Sequence, residues 1–151
     1  MLQNRLNLNG AQVLDLFAGS GSLGFEALSR GAANVVFVES GSTVVKSINA
    51  NAEMLRCEDN CEILHTEAIE YLQFCRSEFD LIFADPPYAF DKTAELPSII
   101  FQKNLLKKEG LLIIEHMKHT MMESTELYRL SAQREFGHTR VSFFAHPEPV
   151  E

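Results

Sequence analysis

A glycine-rich turn between an apolar strand and a helix is the feature that most restricts the fold of this chain. Gly19, Gly21 and Gly24 occur in G-x-G-x-x-G spacing directly after the apolar segment at residues 12–16. Such glycines permit a tight turn and let a ligand approach bare backbone, while the helix N-terminus offers unpaired N–H groups. Glu39 lies twenty residues after Gly19, at the end of the next apolar segment, where it can accept hydrogen bonds from two ribose hydroxyls. The pattern predicts a pocket for an adenosine-bearing cofactor; a turn that only packs the helix on the strand is the alternative.

Apolar segments of strand length alternate with segments of helical periodicity along the chain. The predicted strands are residues 12–16, 35–39, 61–64, 79–84 and 111–115. The predicted helices are residues 23–29, 44–55 with Ser42 as cap, 68–75, and 93–106 with a closing turn at 107–110. Residues 127–136 and 139–145 are predicted to form an antiparallel hairpin around the Gly137-His138 turn. The order predicts one α/β domain over residues 1–151, with a mostly parallel seven-stranded sheet and a C-terminal antiparallel hairpin.

Composition limits the possible functions. The 151 residues suffice for one core, and no segment resembles a membrane span or a signal peptide, so a cytoplasmic location is expected. The formal net charge of −8 disfavours sequence-independent phosphate binding, which usually needs a basic surface. Cys57, Cys61 and His65 are spaced by four without an evident fourth ligand, so packing cysteines are favoured over zinc and no metal is predicted.

Asp15 distinguishes between two adenosine-bearing cofactors. Its carboxylate precedes the glycine turn, where it would repel the pyrophosphate of NAD and attract the amino and sulfonium charges of S-adenosylmethionine (SAM). The Coulomb preference is about 1–4 kcal/mol for charges ~4 Å apart, depending on exposure. SAM is therefore favoured, although an Asp15 that binds only the loop's own amides stays an alternative.

The second informative motif is DPPY at residues 85–88, at the carboxyl end of the predicted strand 79–84. Ligands bind at this edge of open α/β sheets, and two prolines make the turn rigid with outward carbonyls. The Asp85 carboxylate and the Pro86 carbonyl can both accept hydrogen bonds from one amino group, which turns its lone pair towards a methyl donor. Tyr88 offers a face for a stacked base. The motif predicts methyl transfer to an exocyclic amino group of a nucleic-acid base; a proline turn that only ends a strand is the alternative.

With both motifs placed, the chain resembles the RsmD-like family, bacterial SAM-dependent enzymes that methylate a guanine N2 amino group of small-subunit ribosomal RNA. The resemblance covers nearly the whole chain and is carried by residues 14–31 (LDLFAGSGSLGFEALSRG), 37–39 (FVE), 85–88 and 136–144 (FGHTRVSFF). The first segment is highly specific, whereas DPPY alone is shared with DNA and protein amino-methyltransferases. The resemblance implies a Rossmann-like class I methyltransferase domain that uses SAM, acts on ribosomal RNA or the small ribosomal subunit, and is a monomer.

The resemblance also implies site residues. The predicted catalytic and target-base residues are Asp85, Pro86, Pro87 and Tyr88. The predicted SAM-contacting residues are Asp15, Phe17, Gly19, Ser20, Gly21, Glu39, Ser40, Glu67, Ala68 and Asp85. Glu67 departs from the family, which usually has Asp or Asn there, near the adenine. The family also has a basic hairpin before the first strand, so residues 1–9 are expected to be the remnant of the helix that follows it, in a form with reduced RNA affinity.

Several functional hypotheses stay open at this stage. Residues 115–119 (EHMKH) are expected to rim the crevice, where His116, Lys118 and His119 either meet phosphate or, as favoured, form a solvated loop. Methylation of ribosomal RNA competes with the same chemistry on DNA or a nucleoside, and with a catalytically idle SAM-binding or assembly module. A nicotinamide oxidoreductase is disfavoured because DPPY would have no function in it.

Overall fold

The computed structural model describes residues 7–149. The chain separates into two compact units, Met1–Cys75 and Arg76–Glu151; a single domain over 1–151 stays a prediction. Residues 7–9 are not helical, so the predicted helical remnant does not reach them. Its remaining residues, 1–6, lie outside the described part of the chain.

The first unit consists of three parallel strands joined by helices. Its elements are β1 (Gln12–Leu16), α1 (Ser22–Ser29), β2 (Asn34–Glu39), α2 (Ser42–Met54), a 3₁₀ turn (Glu58–Asn60), β3 (Cys61–His65) and α3 (Ala68–Phe74). The strand order is β3-β2-β1, with Asp15 opposite Phe37 and Glu39 opposite His65. Residues 35–38 of β2 are all buried, as expected for a parallel strand that is covered on both faces. The carboxyl ends of the three strands therefore lie at one edge.

The second unit combines a parallel strand pair with an antiparallel hairpin. Its elements are β4 (Phe79–Ala84), a 3₁₀ turn (Thr93–Glu95), α4 (Leu96–Gln102), β5 (Leu106–Met117), β6 (Arg129–Phe136) and β7 (Thr139–Ala145). The strand order is β4-β5-β7-β6; β4 and β5 are parallel, and β7 is antiparallel to both β5 and β6. Gly137, with φ 58°, forms the predicted hairpin turn. The described residues thus contain seven strands, as predicted.

The predicted helix over residues 93–106, with its closing turn at 107–110, is wrong in its second half. The helix ends at Gln102, Asn104 takes a left-handed φ of 57°, and Leu106 already begins β5. The β4–β5 register is irregular at this point, and residues 107–110 lie within β5. The leucines at positions 105 and 106, just before the two lysines, fit a helical period. They are nevertheless buried by pairing of the strands, which helical periodicity cannot reveal.

Two smaller predictions are also wrong. Ser42 is the first residue of α2 and not its cap; the N-cap is Gly41, and no side chain caps this helix. The hairpin strand predicted from residue 127 begins at Arg129 as β6.

Each unit has its own hydrophobic core. The largest fully buried side chains of the first unit are Leu14, Leu16, Phe37, Ile48 and Leu72, and those of the second are Leu81, Ile82, Phe83, Leu96, Ile100, Leu105 and Phe144. Within residues 7–149, no helix has the length and apolarity that a bilayer crossing needs. The two cores fix the positions of the strand ends, and the loops of the candidate site follow these strand ends.

Candidate functional site

The glycine turn after β1 combines a packing requirement with an open backbone. Gly19 and Gly21 have φ of 56° and 80°, left-handed values that favour glycine. A side chain at Gly21 or Gly24 would overlap neighbouring aromatic rings, among them Phe37, so these two positions allow α1 to pack closely on β2. A Cβ at Gly19 would meet only one carbonyl oxygen, at 3.9 Å. Gly19 therefore leaves backbone that a ligand can approach.

Phe17 takes a left-handed backbone conformation in the same turn. Its φ is 58°, which for a bulky residue is strained by about 1–3 kcal/mol. The turn is held by two backbone hydrogen bonds, from Ala18 N to Val38 O at 3.0 Å and from Gly21 N to Ala18 O at 2.8 Å. Such strain persists where the surrounding structure enforces it, and it is concentrated at ligand-binding loops.

The Glu39 carboxylate joins two loops of the first unit. Oε1 accepts a hydrogen bond from Gly19 N and Oε2 accepts one from Gly41 N, each at 2.9 Å. A carboxylate offers about four acceptor positions, so about two remain for a ligand. Glu39 thus lies at the end of β2, as the sequence predicted, and its contact with ribose hydroxyls stays a prediction.

Asp15 has a structural role that the sequence left as an alternative. It is only 3% exposed, and its Oδ2 accepts a hydrogen bond from Gly24 N at 3.2 Å. The carboxylate therefore holds the first turn of α1 against β1. Contact between Asp15 and SAM stays a prediction.

The other predicted cofactor residues of the first unit follow β1, β2 and β3. His65 Nε2 lies 2.9 Å from the carbonyl oxygen of Ser40, which ties the loop after β2 to β3. Glu67 begins α3 without a side-chain capping bond and is exposed, whereas Ala68 is buried. The strand ends bring together one loop set: Phe17, Gly19, Ser20, Gly21, Glu39, Ser40, Glu67 and Ala68.

The second unit has a cavity beside the turn that follows β4. Its volume is ≈ 370 Å³, within the usual range of about 300–1,000 Å³ for small-molecule sites. The cavity is lined by residues 85–88, by members of 90–94 and 115–120, and by Thr139. Tyr88 is 82% exposed, and none of the described aromatic pairs includes it. The four predicted catalytic residues therefore share one wall, with an aromatic face available.

Two acceptors of the DPPY turn have no donor within the part of the protein that the structure describes. The Pro87 carbonyl accepts a hydrogen bond from Phe90 N at 2.9 Å. Across residues 7–149, no hydrogen bond is made to the Pro86 carbonyl or to the Asp85 carboxylate. Both are thus available to an amino group.

The Asp85 carboxyl is unusually basic. Its pKa is raised from 3.8 to about 6, first because partial burial penalises the charged form and second because the Glu115 carboxylate is near. The register explains this proximity: Ala84 pairs with Ile114, so Asp85 and Glu115 occupy the next positions of adjacent strands. At neutral pH Asp85 is mainly ionised and accepts hydrogen bonds.

Asp85→Asn is expected to raise the melting temperature near neutral pH. A carboxyl whose folded pKa lies above its unfolded value binds protons more tightly in the folded state, so its stabilising contribution is lost as pH rises from 3.8 towards about 6. Asparagine does not titrate and avoids this loss. Thermal unfolding should show the variant more stable at about pH 7.5, with the difference vanishing at about pH 4; an equal difference at both pH values would contradict the raised pKa.

The favoured solvated loop is confirmed for Lys118 and His119, which are exposed in the turn after β5, but it is wrong for His116. His116 lies in β5 and is 5% exposed; its Nδ1 donates to the Met117 carbonyl at 2.9 Å, which leaves Nε2 to accept from the Ser142 hydroxyl at 2.7 Å. Burial lowers the pKa of His116, which favours this neutral form. Lys118 pairs with Glu135 at 3.4 Å. The prediction failed for His116 because β5 continues to Met117, beyond the apolar segment that predicted the strand.

Sequence reasoning also missed part of the cavity. Thr139, from the start of β7, and the loop residues Phe90 and Thr93 line it. Only their place in the fold brings them there, and no local motif marks them.

Solved structures with the same arrangement define the class of protein. A conserved hypothetical protein of Streptococcus pyogenes superposes with a TM-score of 0.86 at 31% identity, over 92% of this chain and 88% of its own. A protein of Haemophilus influenzae described as a "putative methylase" superposes with a TM-score of 0.85 at 31% identity, over 93% and 89%. The fold is the seven-stranded mixed sheet of class I methyltransferases, which confirms the predicted fold class.

The family follows from the sequence. The profile of the family described as conserved hypothetical protein 95 matches residues 1–145. Ribosomal RNA small subunit methyltransferase D of Haemophilus influenzae is 33% identical over 133 residues, which cover 86% of this chain and 69% of that protein. The chain belongs to this family, the RsmD family that its motifs indicated.

Proposed function

We propose that this chain is a SAM-dependent methyltransferase that acts on an exocyclic amino group of a nucleic-acid base, guanine N2 of small-subunit ribosomal RNA. The observation that carries the proposal is the cavity of the second unit. There the Asp85 carboxylate and the Pro86 carbonyl lack protein donors beside an exposed Tyr88 ring. The name of the Haemophilus influenzae relative supports the substrate.

The first unit fits SAM. The Glu39 carboxylate retains acceptor positions for ribose hydroxyls while two backbone amides hold it in place. Gly19 leaves open backbone beside it, and residues 17–22 carry no basic side chain that would favour a pyrophosphate. Bound SAM supplies an activated methyl group. We assign its binding to the loop set at the ends of β1, β2 and β3.

The second unit orients the target amine. Asp85 and the Pro86 carbonyl accept its two hydrogens, so the nitrogen lone pair points away from the turn. The base stacks on Tyr88, a contact worth about 1–3 kcal/mol. The methylated nitrogen sheds one proton, which an Asp85 Oδ accepts. A pKa of about 6 makes this carboxylate a better base near neutral pH than an ordinary aspartate.

Transfer of a labelled methyl group tests the proposal. SAM with a tritiated methyl would be incubated with undermethylated small ribosomal subunits, naked small-subunit RNA, or duplex DNA. We expect incorporation into the RNA of the small subunit and none into DNA. Because the net charge is −8, the chain should neutralise few phosphates, so incorporation into naked RNA should be low and should depend only weakly on salt.

Two other outcomes would overturn the assignment. Calorimetric binding of SAM without transfer to any of these substrates would favour an idle binding module. Binding of NAD in place of SAM would favour an oxidoreductase. A monomeric state and a cytoplasmic location stay predictions; sedimentation would test the first.

A further inference from the structure

Two carboxylates lie side by side in the cavity of the second unit. Asp85 directly follows β4 and Glu115 lies in β5, one residue beyond the pair Ala84 and Ile114. Neighbouring strands are about 4.8 Å apart, and laterally adjacent residues point to the same face. Both side chains line the same cavity. The register therefore places a second acceptor next to the one that the proposed reaction uses.

Neither carboxylate is neutralised by the described protein. No hydrogen bond or ion pair is made to the side-chain carboxylate of Asp85 or of Glu115 across residues 7–149. Two basic side chains of this region, Lys118 three residues after Glu115 and Arg140 opposite His116 in the β5–β7 register, are both bound to Glu135, at 3.4 and 2.6 Å. Ionised carboxylates only accept hydrogen bonds. A ligand bound against these two side chains would therefore need hydrogen-bond donors on the side that faces them.

Pairing with β7 holds the strand that carries Glu115 on the edge opposite β4. Glu115 pairs with Val141 of β7. The next residue, His116, is hydrogen-bonded to Ser142 at 2.7 Å, and Ser142 also accepts a bond from Gln133 Nε2 at 3.0 Å. This buried network fixes the position of the strand end, which a specificity-determining side chain needs.

Two adjacent acceptors select one base among the four. Guanine presents N1–H and the N2 amino group next to each other, so its edge offers adjacent donors. The amino group of adenine is flanked by the acceptors N1 and N7, and that of cytosine by the acceptor N3. A second carboxylate would face the lone pairs of these ring acceptors and repel them. Uracil has no amino group and therefore offers no methyl acceptor of this kind.

We propose that Glu115 is a specificity-determining residue that accepts the N1–H of guanine while Asp85 accepts the N2 amino group. The inference rests on the proposed function for the role of Asp85. Glu115 thereby excludes bases whose amino group has no ring N–H beside it.

Binding of two nucleotides that differ at N1 and at the adjoining C6 oxygen tests the proposal, since only the N1 difference should depend on Glu115. Guanosine 5′-monophosphate has N1–H, whereas 2-aminopurine riboside 5′-monophosphate keeps the 2-amino group but has an acceptor at N1. Dissociation constants would be measured by NMR titration for the parent and for Glu115→Gln. The parent should prefer the guanine nucleotide by about tenfold or more, the value of a hydrogen bond to a charged acceptor. In Glu115→Gln, whose amide can also donate to N1, the preference should shrink to about threefold or less through tighter binding of the 2-aminopurine nucleotide.

A matched variant and a second readout keep the outcomes separate. Glu109→Gln removes the same charge from an exposed position of β5 that does not line the cavity, and it should keep the parental preference. An unchanged preference in Glu115→Gln, or no preference in the parent, overturns the inference. If the preference depends on Glu115 but no methyl reaches any RNA, the inference stands and the proposed function fails. If methyl transfer occurs but Glu115→Gln keeps the parental preference, only the inference fails.

Discussion

Asp85→Ala is expected to slow methyl transfer by about 10²–10³-fold, the usual cost of removing one preorganised hydrogen-bonding group from a transition state. The variant loses the acceptor that we propose to position the amine and take its proton, and Glu115, which we assign to N1–H, cannot also hold the amino hydrogen that Asp85 held. SAM affinity should stay nearly unchanged, because the loop set to which we assign cofactor binding belongs to the first unit. Single-turnover rates and calorimetry would measure the two quantities separately.

Asp80→Asn is the matched control for this prediction. Asp80 lies in β4 and forms an exposed ion pair with Lys107 at 3.3 Å, outside the cavity lining. Its loss should leave the rate near the parental value, since exposed ion pairs contribute little.

The parental rate should also rise with pH through about 6, as Asp85 ionises. A parental rate in Asp85→Ala would show that another group positions the amine.

Glu39→Ala is expected to weaken SAM binding by about 1.5–3 kcal/mol, the value of hydrogen bonds to a charged acceptor. Two effects act in the same direction. The carboxylate is lost as an acceptor for ribose hydroxyls, and Gly19 N and Gly41 N, each held at 2.9 Å, lose their common partner. The loop that should meet the cofactor is then no longer fixed.

Glu53→Ala provides the control for Glu39. Glu53 lies near the end of α2 and is exposed, so its removal changes the charge of the same unit without touching the loop set. Calorimetry should show parental SAM affinity for Glu53→Ala and a large loss for Glu39→Ala. Equal affinity in the two variants would remove Glu39 from the cofactor site.

Patterns that depend on local spacing were read correctly from the sequence. The glycine turn, the position of Glu39 at the end of β2, and the DPPY turn after β4 all follow from strand-to-helix periodicity. The final hairpin followed from the glycine at residue 137 between two strand-like segments. These features can be predicted because they depend on residues that are close together in the sequence.

Features that depend on tertiary pairing were not predictable in the same way. The early start of β5 at Leu106 arises because sheet pairing overrides a helical period. His116 was expected in a solvated loop, but hydrogen bonding with Ser142 buries it. Asp15 binds the amide of Gly24, a contact that spacing allowed without requiring. The proximity of Asp85 and Glu115 likewise depends on the register of two strands that are distant in sequence.

Identification of the methylated atom tests the central claim most directly. Undermethylated small ribosomal subunits would be incubated with the protein and methyl-labelled SAM, and the RNA would be digested to nucleosides for mass spectrometry. The account predicts one labelled product, N2-methylguanosine, which Asp85→Ala fails to form. Label in N6-methyladenosine, or on protein with none in RNA, would contradict it.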